Sequence, residues 1–554
     1  MNIFIGGAWP YANGSLHIGH LSALLGGDVL ARYYRLKGEK VLYVSGSDCH
    51  GTPITLRARK EGVEPASISK RYHSEFKDCF ERLGFSYDYY GHTDSEDHKA
   101  FVQGFFKNLY EKGALYETQT EQAFCPRCSQ FLPDRFVTGS CPHCGKAAKG
   151  DQCDHCGSLL DPVSLQGRKC GLCGEEPQFR RTSHLFLPLS QYEERIREWV
   201  SHANSWRANA IGMTLRYLNE GLKDRAVTRD IDWGIQVPVE GYEVKKIYVW
   251  VEAVLGYLSA SKRAALDQNL NLEDFWGKES DTRHYYIHGK DNIPFHSVIL
   301  PALLMAKGGL KLPDTLLSSE YETLEGKKIS TSGNWAVWVP YLLEHYDPDA
   351  IRFFFIANGP EKRDSDFSWN EFIQCHNIEL VNQFGNLVNR TLVFIKKNYG
   401  LKIPRGHVSP SIKSILESTY KTCGNAIEEG SFREALEAVV NLVRFGNRYF
   451  DEQKPWITLS ESPEECAQTL YNLIQIIANL TVLFEPFIPF ATHKLRELLN
   501  LHDNAGAGTG WKPFYLLSEL PLSEPYILFT RLDKKLVREE TERLLASQRP
   551  LEQE

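Results

Sequence analysis

Two histidines three residues apart, His17 and His20, have the spacing and surroundings of a site that handles phosphate. They lie in residues 9–20, WPYANGSLHIGH, between an apolar run at residues 3–5 and a stretch from 21 to 36 with apolar residues at helical spacing. This pattern predicts a turn from a buried strand into a helix. A helix N-terminus attracts phosphate, and two imidazoles on its first turn can stabilise charge that moves along a polyphosphate. Taken alone, such a pair is more often two surface histidines on an ordinary helix.

Eight of the thirteen cysteines form four C-x-x-C pairs, and the chain shows no secretion signal that would favour disulfides. Eight thiolates suit two tetrahedral zinc sites of four cysteines each. A redox role is the alternative, and it is disfavoured because none of the pairs lies at the helix start of a βαβ unit. Spacing alone does not decide which pairs share an ion. The pairs are Cys125/Cys128, Cys141/Cys144, Cys153/Cys156 and Cys170/Cys173.

Residues 9–20 resemble the His-Ile-Gly-His signature of class I aminoacyl-tRNA synthetases, and residues 8–14 resemble the methionine-specific branch of that family. Residues 328–332, KISTS, resemble the mobile Lys-Met-Ser-Lys-Ser loop of the same family. Thr331 stands where the family usually has a second lysine, so Lys328 is left to clamp the leaving pyrophosphate. The resemblance covers essentially the whole chain. It implies activation of methionine with ATP to an adenylate and pyrophosphate, followed by transfer to the terminal adenosine of tRNA(Met).

The same resemblance implies which residues bind the small substrates. The catalytic residues would be His17, His20 and Lys328. ATP, with Mg²⁺, would contact Asn13, Gly19, Gly289, Lys290, Asp291, Lys328, Ser330 and Thr331. Methionine would be held through its ammonium group by Asp48, in a pocket lined by Ala8, Trp9, Tyr11, Trp250, Ala253, Tyr257 and His296.

Elementary chemistry is consistent with this assignment. Asp48 follows a strand predicted at residues 40–44, and ligands of open parallel sheets bind at the carboxyl ends of strands. The alternative is that Asp48 caps the next helix. A thioether gains from sulfur–aromatic contact, which suits an aromatic pocket, although buried aromatics are also ordinary core residues.

Resemblance also extends to the cysteines and the C-terminal helices. The inner cysteine pairs resemble the single zinc knuckle of simpler relatives, which implies a nested arrangement in which inner pairs share one ion and outer pairs the other. In the helical region, Asn386, Arg390 and Trp456 are implied as readers of the anticodon. An amide and a guanidinium four residues apart on one helix face suit base edges, and an exposed indole suits stacking. The residues alone favour a plainer interpretation: a surface amide, a salt-bridge arginine and a buried tryptophan.

The predicted fold class is α/β, with a doubly wound Rossmann-type nucleotide-binding domain, a zinc-knuckle insertion and an all-α C-terminal helix bundle. Strands predicted on either side of the insertion, including 247–250 and 284–288, would complete one sheet. The predicted boundaries are 1–116 and 231–324 for the two halves of the Rossmann domain, 117–230 for the insertion, 325–370 for the second loop and stem-contact region, 371–540 for the bundle and 541–554 for the tail.

Composition is that of a soluble protein of several domains, with 42% hydrophobic and 24% charged residues in 554. A net charge of −7 argues only weakly against nucleic-acid binding, because local basic patches suffice. The apolar stretch 470–490 contains Asn472, Gln475, Asn479 and Glu485, so a bundle helix is predicted there and not a membrane span. No targeting peptide is evident, so a cytoplasmic location is expected, and no added oligonucleotide-binding domain is seen, so a monomer is expected.

Three other classes of protein share some of these sequence features. Leucyl, isoleucyl or valyl synthetases carry a large editing domain, for which this insertion has no room. A non-synthetase nucleotidylyltransferase uses the same sheet and a similar histidine pair, but it is usually shorter and lacks the helical C-terminal third. A tRNA-binding or zinc-scaffold protein without catalysis is disfavoured by the intact histidine pair and Asp48.

Overall fold

The computed structural model of the chain describes residues 1–150, 153, 155–156, 160–331, 333–501 and 510–548. The first part is a βα alternation, as the sequence predicts. Its elements are β1 (Asn2–Gly7), α1 (Ile18–Leu36), β2 (Lys40–Ser47), α2 (Thr52–Glu61), α3 (Pro65–Arg82), β3 (Tyr89–His92) and α4 (Glu96–Glu111). Phe4, Leu42 and Val44 are buried, as expected for parallel strands covered by helices on both faces.

The insertion contains two small antiparallel sheets followed by two helices. The strands β4 and β9 pair along most of their length and carry the cysteine-rich hairpins between them. The elements are β4 (Tyr116–Cys125), β5 (Gln130–Phe131), β6 (Val137–Ser140), β7 (Ala147–Lys149), β8 (Gln166–Cys170), β9 (Gln178–Leu187), α5 (Leu189–Ser201), α6 (Ala208–Glu220), β10 (Arg225–Ala226) and β11 (Thr228–Arg229).

Beyond the insertion the central sheet is completed. The elements are β12 (Lys246–Ile247), α7 (Val249–Asp267), α8 (Glu273–Trp276), β13 (Thr282–Gly289), α9 (Leu300–Lys307) and β14 (Thr315–Ser319). The sheet has the order β14-β13-β1-β2-β3, and all its neighbours are parallel. The prediction of one Rossmann-type sheet formed by both halves of the chain is therefore confirmed.

The prediction of a strand at residues 247–250 is wrong. Only Lys246–Ile247 is extended, in a two-stranded ribbon with β11, and helix α7 begins at Val249. The apolar residues of this stretch continue at helical spacing through Val254 and Leu258, and the helix packs on β2. A short apolar run fits a strand and a buried helix equally well, and tertiary packing selects the helix here.

A small sheet with the order β16-β15-β17 connects the two main parts of the chain. Its elements and the helices that follow are β15 (Glu322–Leu324), β16 (Lys327–Lys328), α10 (Val339–His345), α11 (Pro348–Asn358) and β17 (Ser365–Phe367). Helix α11 is tied to α1 by a buried ion pair, in which Arg352 Nη2 donates to Asp28 Oδ2 at 2.6 Å and Arg32 Nε donates to the same oxygen at 2.9 Å. This pairing fixes the helix that begins at the histidine motif.

The C-terminal third is helical. A π-helical segment, His376–Gly385, joins its first two helices. The helices are α12 (Trp369–Cys375), α13 (Asn386–Tyr399), α14 (Pro410–Glu428), α15 (Phe432–Gln453), α16 (Pro455–Glu461), α17 (Pro463–Leu483), α18 (Pro489–Leu498) and α19 (Lys535–Ser547). Helix α19 runs past the boundary predicted at 541, because Glu540 on it accepts hydrogen bonds from Tyr341 and Tyr346 and holds it against α10.

Helix α17 is long and apolar enough to cross a membrane by length and composition, but its side chains from Thr469 to Leu483 are buried in the bundle. Its amides hold a non-helical segment that follows α18. Gln475 donates to the carbonyl of Leu516 and accepts from its N–H, and Asn479 does the same with Phe514. The polar residues of α17 are therefore satisfied inside the core.

Candidate active site

The histidine motif forms the N-terminus of α1. His17 is the N-cap residue, and its Nδ1 accepts from the N–H of Gly19 at 3.1 Å. His20 returns a bond, since its Nδ1 accepts from the N–H of His17 at 3.2 Å. The centroids of the two imidazole rings are 4.0 Å apart. This reciprocal cap explains the three-residue spacing in structural terms and holds both rings at the N-terminal end of the helix, the end that favours anions.

Both imidazoles are neutral near pH 7. Burial lowers the pKa of His20 to about 4, and burial with the neighbouring ring lowers the pKa of His17 well below its ordinary value. Because Nδ1 of each ring accepts a backbone hydrogen bond, the proton of the neutral ring is on Nε2. Each ring therefore offers an N–H donor on the side away from the cap.

The second loop, residues 325–334, is brought to the histidine motif by its continuation. The N–H of Ile18 donates to the carbonyl of Val337, and the N–H of Val339 donates to the carbonyl of Leu16. The side chain of Ile329 lies against Gly19, where an added Cβ would be 3.7 Å from its Cδ1. The loop and the motif thus form one site although more than 300 residues separate them.

Within this loop the side chains differ in what they contact. Lys328 is exposed at the end of β16, whereas the ammonium group of Lys327 lies over the ring of Trp335, 4.7 Å from its centroid. Ser330 and Trp335 exchange backbone hydrogen bonds and close the loop. Thr331 is exposed. Both adjacent lysines are exposed, and the ammonium group of Lys327 contacts an aromatic ring.

Gly289 is the last residue of β13, and Lys290 and Asp291 follow it, on the same edge of the sheet as the motif. Lys290 Nζ is 2.7 Å from Glu320 and 3.0 Å from Asp364, so its charge is paired. Asp291 accepts from the hydroxyl of Tyr321 at 2.5 Å. Tyr321 is a neighbour that the sequence did not indicate, because no local pattern connects it to β13.

Asn13 lies in the turn before α1. Its carbonyl accepts a hydrogen bond from Arg57 Nη1 on α2 at 2.7 Å, which connects the turn to that helix. Arg57 also pairs with Glu61. The side chain of Asn13 is half-buried beside the histidines.

Asp48 is the first residue after β2 and is buried. Backbone hydrogen bonds join it to the motif, since its N–H donates to Pro10 and its carbonyl accepts from Ala12, each at 2.8 Å. Burial, and then the nearby carboxylate of Glu252, raises the pKa of Asp48 well above its ordinary value. Helix α2 has Gly51 as its N-cap, with no side-chain capping bond. A buried carboxylate near a second one favours a cationic ligand.

Of the aromatic residues assigned to the methionine side chain, Tyr11 forms a backbone bridge with Asp48. Trp250 Nε1 donates to the hydroxyl of Tyr11 at 2.9 Å. The indole of Trp9 lies against two glycines, Gly46 and Gly256, where any side chain would collide with it. Ala8 is buried at the end of β1, and Ala253 is half-buried on α7.

Tyr257 and His296 form the inner part of this group. The hydroxyl of Tyr257 donates to His296 Nε2 at 2.8 Å, because His296 Nδ1 donates to the carbonyl of Asn292. Burial lowers the pKa of His296 to about 4, so the ring is neutral. A neutral aromatic lining is suited to an uncharged thioether.

Thiols of the eight paired cysteines form two groups of four, each with its sulfur atoms within 4.8 Å of one another. Close approaches are 3.4 Å for Cys125–Cys173 and 3.6 Å for Cys144–Cys153. Tetrahedral zinc–thiolate geometry requires sulfurs about 3.8 Å apart. The grouping is the nested one: Cys125, Cys128, Cys170 and Cys173 in one, and Cys141, Cys144, Cys153 and Cys156 in the other.

Two of the three residues assigned to the anticodon, Arg390 and Trp456, meet around Phe450 on the outer face of the bundle. Arg390 pairs with Asp451 at 2.8 Å, and its guanidinium lies 4.2 Å from the ring centroid of Phe450. The same ring is stacked at 6.0 Å with Trp456, which is 51% exposed. Asn386 is exposed one helical turn before Arg390. Trp456 is thus a surface platform, whereas Arg390 is engaged in a salt bridge.

Comparison with known proteins places the chain. A family model described as tRNA synthetases class I (M) matches residues 3–392, and one described as the anticodon binding domain of methionyl tRNA ligase matches residues 406–548. The chain is 53% identical to methionine–tRNA ligase 1 of Alkaliphilus oremlandii over 98% of its own length and 100% of the relative's. It is 52% identical to methionine–tRNA ligase of Bacillus cereus strain AH187 over 98% and 99%.

Solved structures agree on the fold. A Mycobacterium tuberculosis methionyl-tRNA synthetase bound by methionyl-adenylate superposes with a TM-score of 0.78 at 23% identity, covering 96% of this chain and 100% of that one. The matched models, the relatives and the shared fold together span nearly the whole sequence. The chain belongs to the methionine–tRNA ligase family of class I aminoacyl-tRNA synthetases.

Proposed function

We propose that the chain joins methionine to tRNA(Met) in two steps at the edge of the central sheet. The single observation that best supports this is the convergence of the histidine motif, the second loop and Asp48 on that edge, beside a group of aromatic side chains. In the first step the carboxylate of methionine attacks the α-phosphate of ATP, and pyrophosphate leaves. No general base is required, because the carboxylate is already ionised, so catalysis consists of positioning and charge stabilisation.

We assign the phosphate-handling roles as follows. The Nε2–H groups of His17 and His20 donate to the phosphates as negative charge shifts toward pyrophosphate, and Lys328 adds its ammonium group from the second loop. Mg²⁺ that enters with ATP supplies further charge neutralisation on the phosphates. Gly289, Lys290 and Asp291 face the nucleoside, with Asp291 on the ribose.

Methionine binding depends on Asp48. The carboxylate must be ionised to hold the ammonium group, and its raised pKa in the free protein implies that binding releases a proton. Affinity for methionine therefore falls as the pH is lowered, because more of Asp48 is then protonated. The thioether is received by Trp9, Tyr11, Trp250, Ala253, Tyr257 and His296, whose uncharged surfaces suit it.

In the second step a ribose hydroxyl of the terminal adenosine of the tRNA attacks the carbonyl carbon of methionyl-adenylate, so that the methionyl ester forms and AMP leaves, while the bundle binds the anticodon. The exposed indole of Trp456 provides a stacking surface for a base. Arg390 offers its planar group to a base edge after exchanging its bond to Asp451. A monomer in the cytoplasm remains the expected working state.

We also assign one zinc ion to each group of four cysteines, because their sulfur spacing fits tetrahedral coordination. Zinc would stabilise the insertion, whose own apolar core is small.

Replacing Cys170 with serine is expected to remove one of two zinc ions and leave the other in place. Metal content per chain, measured by atomic emission, should fall from about two to about one, as two sites of four thiolates imply. Cys141→Ser is the matched variant in the other group and should also retain one ion, and the double variant should retain none. If either single variant loses both ions, the two sites are not independent and the assignment is wrong.

The proposed reaction is tested by following its two steps separately. The purified chain is mixed with methionine and ATP in one turnover, and the adenylate is detected by mass spectrometry before tRNA is added. Addition of tRNA(Met) should then consume the adenylate and yield methionyl-tRNA. An adenylate that forms but is never transferred would limit the chain to amino-acid activation.

A further inference from the structure

His50, two residues beyond Asp48, is held between carboxylates in the interior. Its Nδ1 is 2.8 Å from Glu252 Oε1 on α7, and its Nε2 is 3.5 Å from Asp94 Oδ1 in the turn before α4. The side chains of His50 and Glu252 are only 2% and 0% exposed. The backbone N–H of His50 also donates a hydrogen bond to Asp48 Oδ1 at 3.2 Å.

A ring with a carboxylate at each nitrogen is charged, because both nitrogens must carry a proton to make these contacts. Burial lowers the pKa of His50, but Glu252, Asp94 and then Asp48 outweigh it and raise that pKa to about 10. Sequence patterns did not indicate this, since a lone histidine in an interior segment is ordinarily neutral.

Other groups around His50 complete the electrostatic setting. Lys99 Nζ on α4 is 2.7 Å from Asp94 Oδ1 and shares its charge. His92 and His98 have lowered pKa values through burial, so they are neutral. The indole of Trp233 lies edge-on to His50 at 5.2 Å, and its N–H donates to the carbonyl of Cys49.

The balance of charges in this group explains why Asp48 holds its proton. If Asp48, Glu252 and Asp94 were all ionised, their three negative charges would exceed the two positive charges of His50 and Lys99. Burial, and then the carboxylate of Glu252, accordingly raises the pKa of Asp48. Two buried carboxylates near each other share a proton unless a cation offsets one of them. Protonated Asp48 has no charge to offer an ammonium group.

We propose that His50 is a positioning residue for methionine: its charged ring offsets Glu252, so that Asp48 gives up its proton more readily and can receive the ammonium group. This inference rests on the proposed activation of methionine. His50 itself touches neither ATP nor the reacting carboxylate in this account, and it acts only through Asp48.

Replacement of His50 with asparagine tests the proposal, because the asparagine amide lies where Nδ1 was and keeps the hydrogen bond to Glu252 without the charge. Methionine-dependent pyrophosphate exchange is measured against pH. The KM for methionine near pH 7 should rise roughly tenfold, and the acid limb of kcat/KM for methionine should move up by about one pH unit. The KM for ATP and the kcat at saturating methionine should change little.

A second substitution separates charge from structure. In the double variant His50→Asn with Glu252→Gln, one positive and one negative charge are removed together, so the net charge around Asp48 is the same as in the unsubstituted chain. The double variant should recover most of the methionine affinity and the original acid limb. Inhibition by methioninol, which keeps the ammonium group and lacks the carboxylate, should weaken and recover in parallel.

Three outcomes would overturn the inference. The double variant could be as impaired as His50→Asn or worse, which indicates a structural role. The KM for ATP or the kcat could fall together with methionine affinity. Lastly, His50→Asn could match the unsubstituted chain. If the unsubstituted chain itself supports no exchange with methionine, the proposed function fails instead, and the two failures are distinguishable.

Discussion

Replacing His20 with alanine is expected to slow methionine adenylation by roughly 10²-fold or more, the scale of losing one preorganised donor to a transition state. The affinity for methionine should hardly change, because we assign His20 to the phosphates of ATP and Asp48 to the ammonium group of methionine. Pyrophosphate exchange at saturating ATP and methionine measures the loss directly.

The geometry of the cap allows a sharper form of this experiment. Asparagine at position 20 keeps an acceptor where Nδ1 was and preserves the cap on α1, but it removes the Nε2–H donor. Glutamine places an amide nearer to Nε2 and gives up the cap. If the donor matters, His20→Asn should be as slow as His20→Ala, and His20→Gln should be faster than both. A normal rate for His20→Asn would show that the histidine serves only to cap the helix.

A second large effect is expected in the bundle. Trp456→Ala should lower the efficiency of tRNA charging by roughly 10- to 100-fold, because stacking of a base on an aromatic ring is worth about 1–3 kcal/mol. Methionine activation without tRNA should stay intact, since Trp456 is exposed on the outer face of the bundle, where its ring stacks on Phe450, and the histidine motif lies in another domain. Aminoacylation and pyrophosphate exchange are measured on the same preparation.

Two controls accompany this variant. Trp456→Phe keeps a stacking surface and should retain most of the charging efficiency. Tyr110→Ala removes a comparably exposed aromatic from α4 in the catalytic domain and should leave charging unchanged. Should exchange and charging fall together in Trp456→Ala, the residue supports the fold, and the anticodon is read elsewhere.

Much of the site could be predicted from sequence where the chemistry is local. The turn from β1 into α1 follows from an apolar run, glycines and helical spacing, and His17 and His20 lie together because three residues make one helical turn. The spacing within each of the four C-x-x-C pairs likewise predicts that its two thiolates bind the same ion. Their nested grouping required the family resemblance, because spacing is compatible with other pairings.

Features that depend on distant contacts were not predictable in the same way. Trp250 is on a helix because α7 packs on β2, and residues 247–250 alone do not reveal that packing. The charge on His50 comes from Glu252, about 200 residues away in sequence, and from Asp94. The segment after α18 is held by hydrogen bonds to the side-chain amides of Gln475 and Asn479 on α17. In the sequence these two residues indicated only that the helix is less apolar than a membrane span. In each case the decisive partner lies outside any local window.

Pyrophosphate exchange by the purified chain with each of the twenty amino acids in turn shows which amino acid the chain activates. Methionine alone should support rapid ATP–pyrophosphate exchange, because only its side chain combines an uncharged thioether with the length that the aromatic pocket around Asp48 is proposed to receive. Rapid exchange with leucine, isoleucine or valine in place of methionine, or no exchange with any amino acid, would contradict the account.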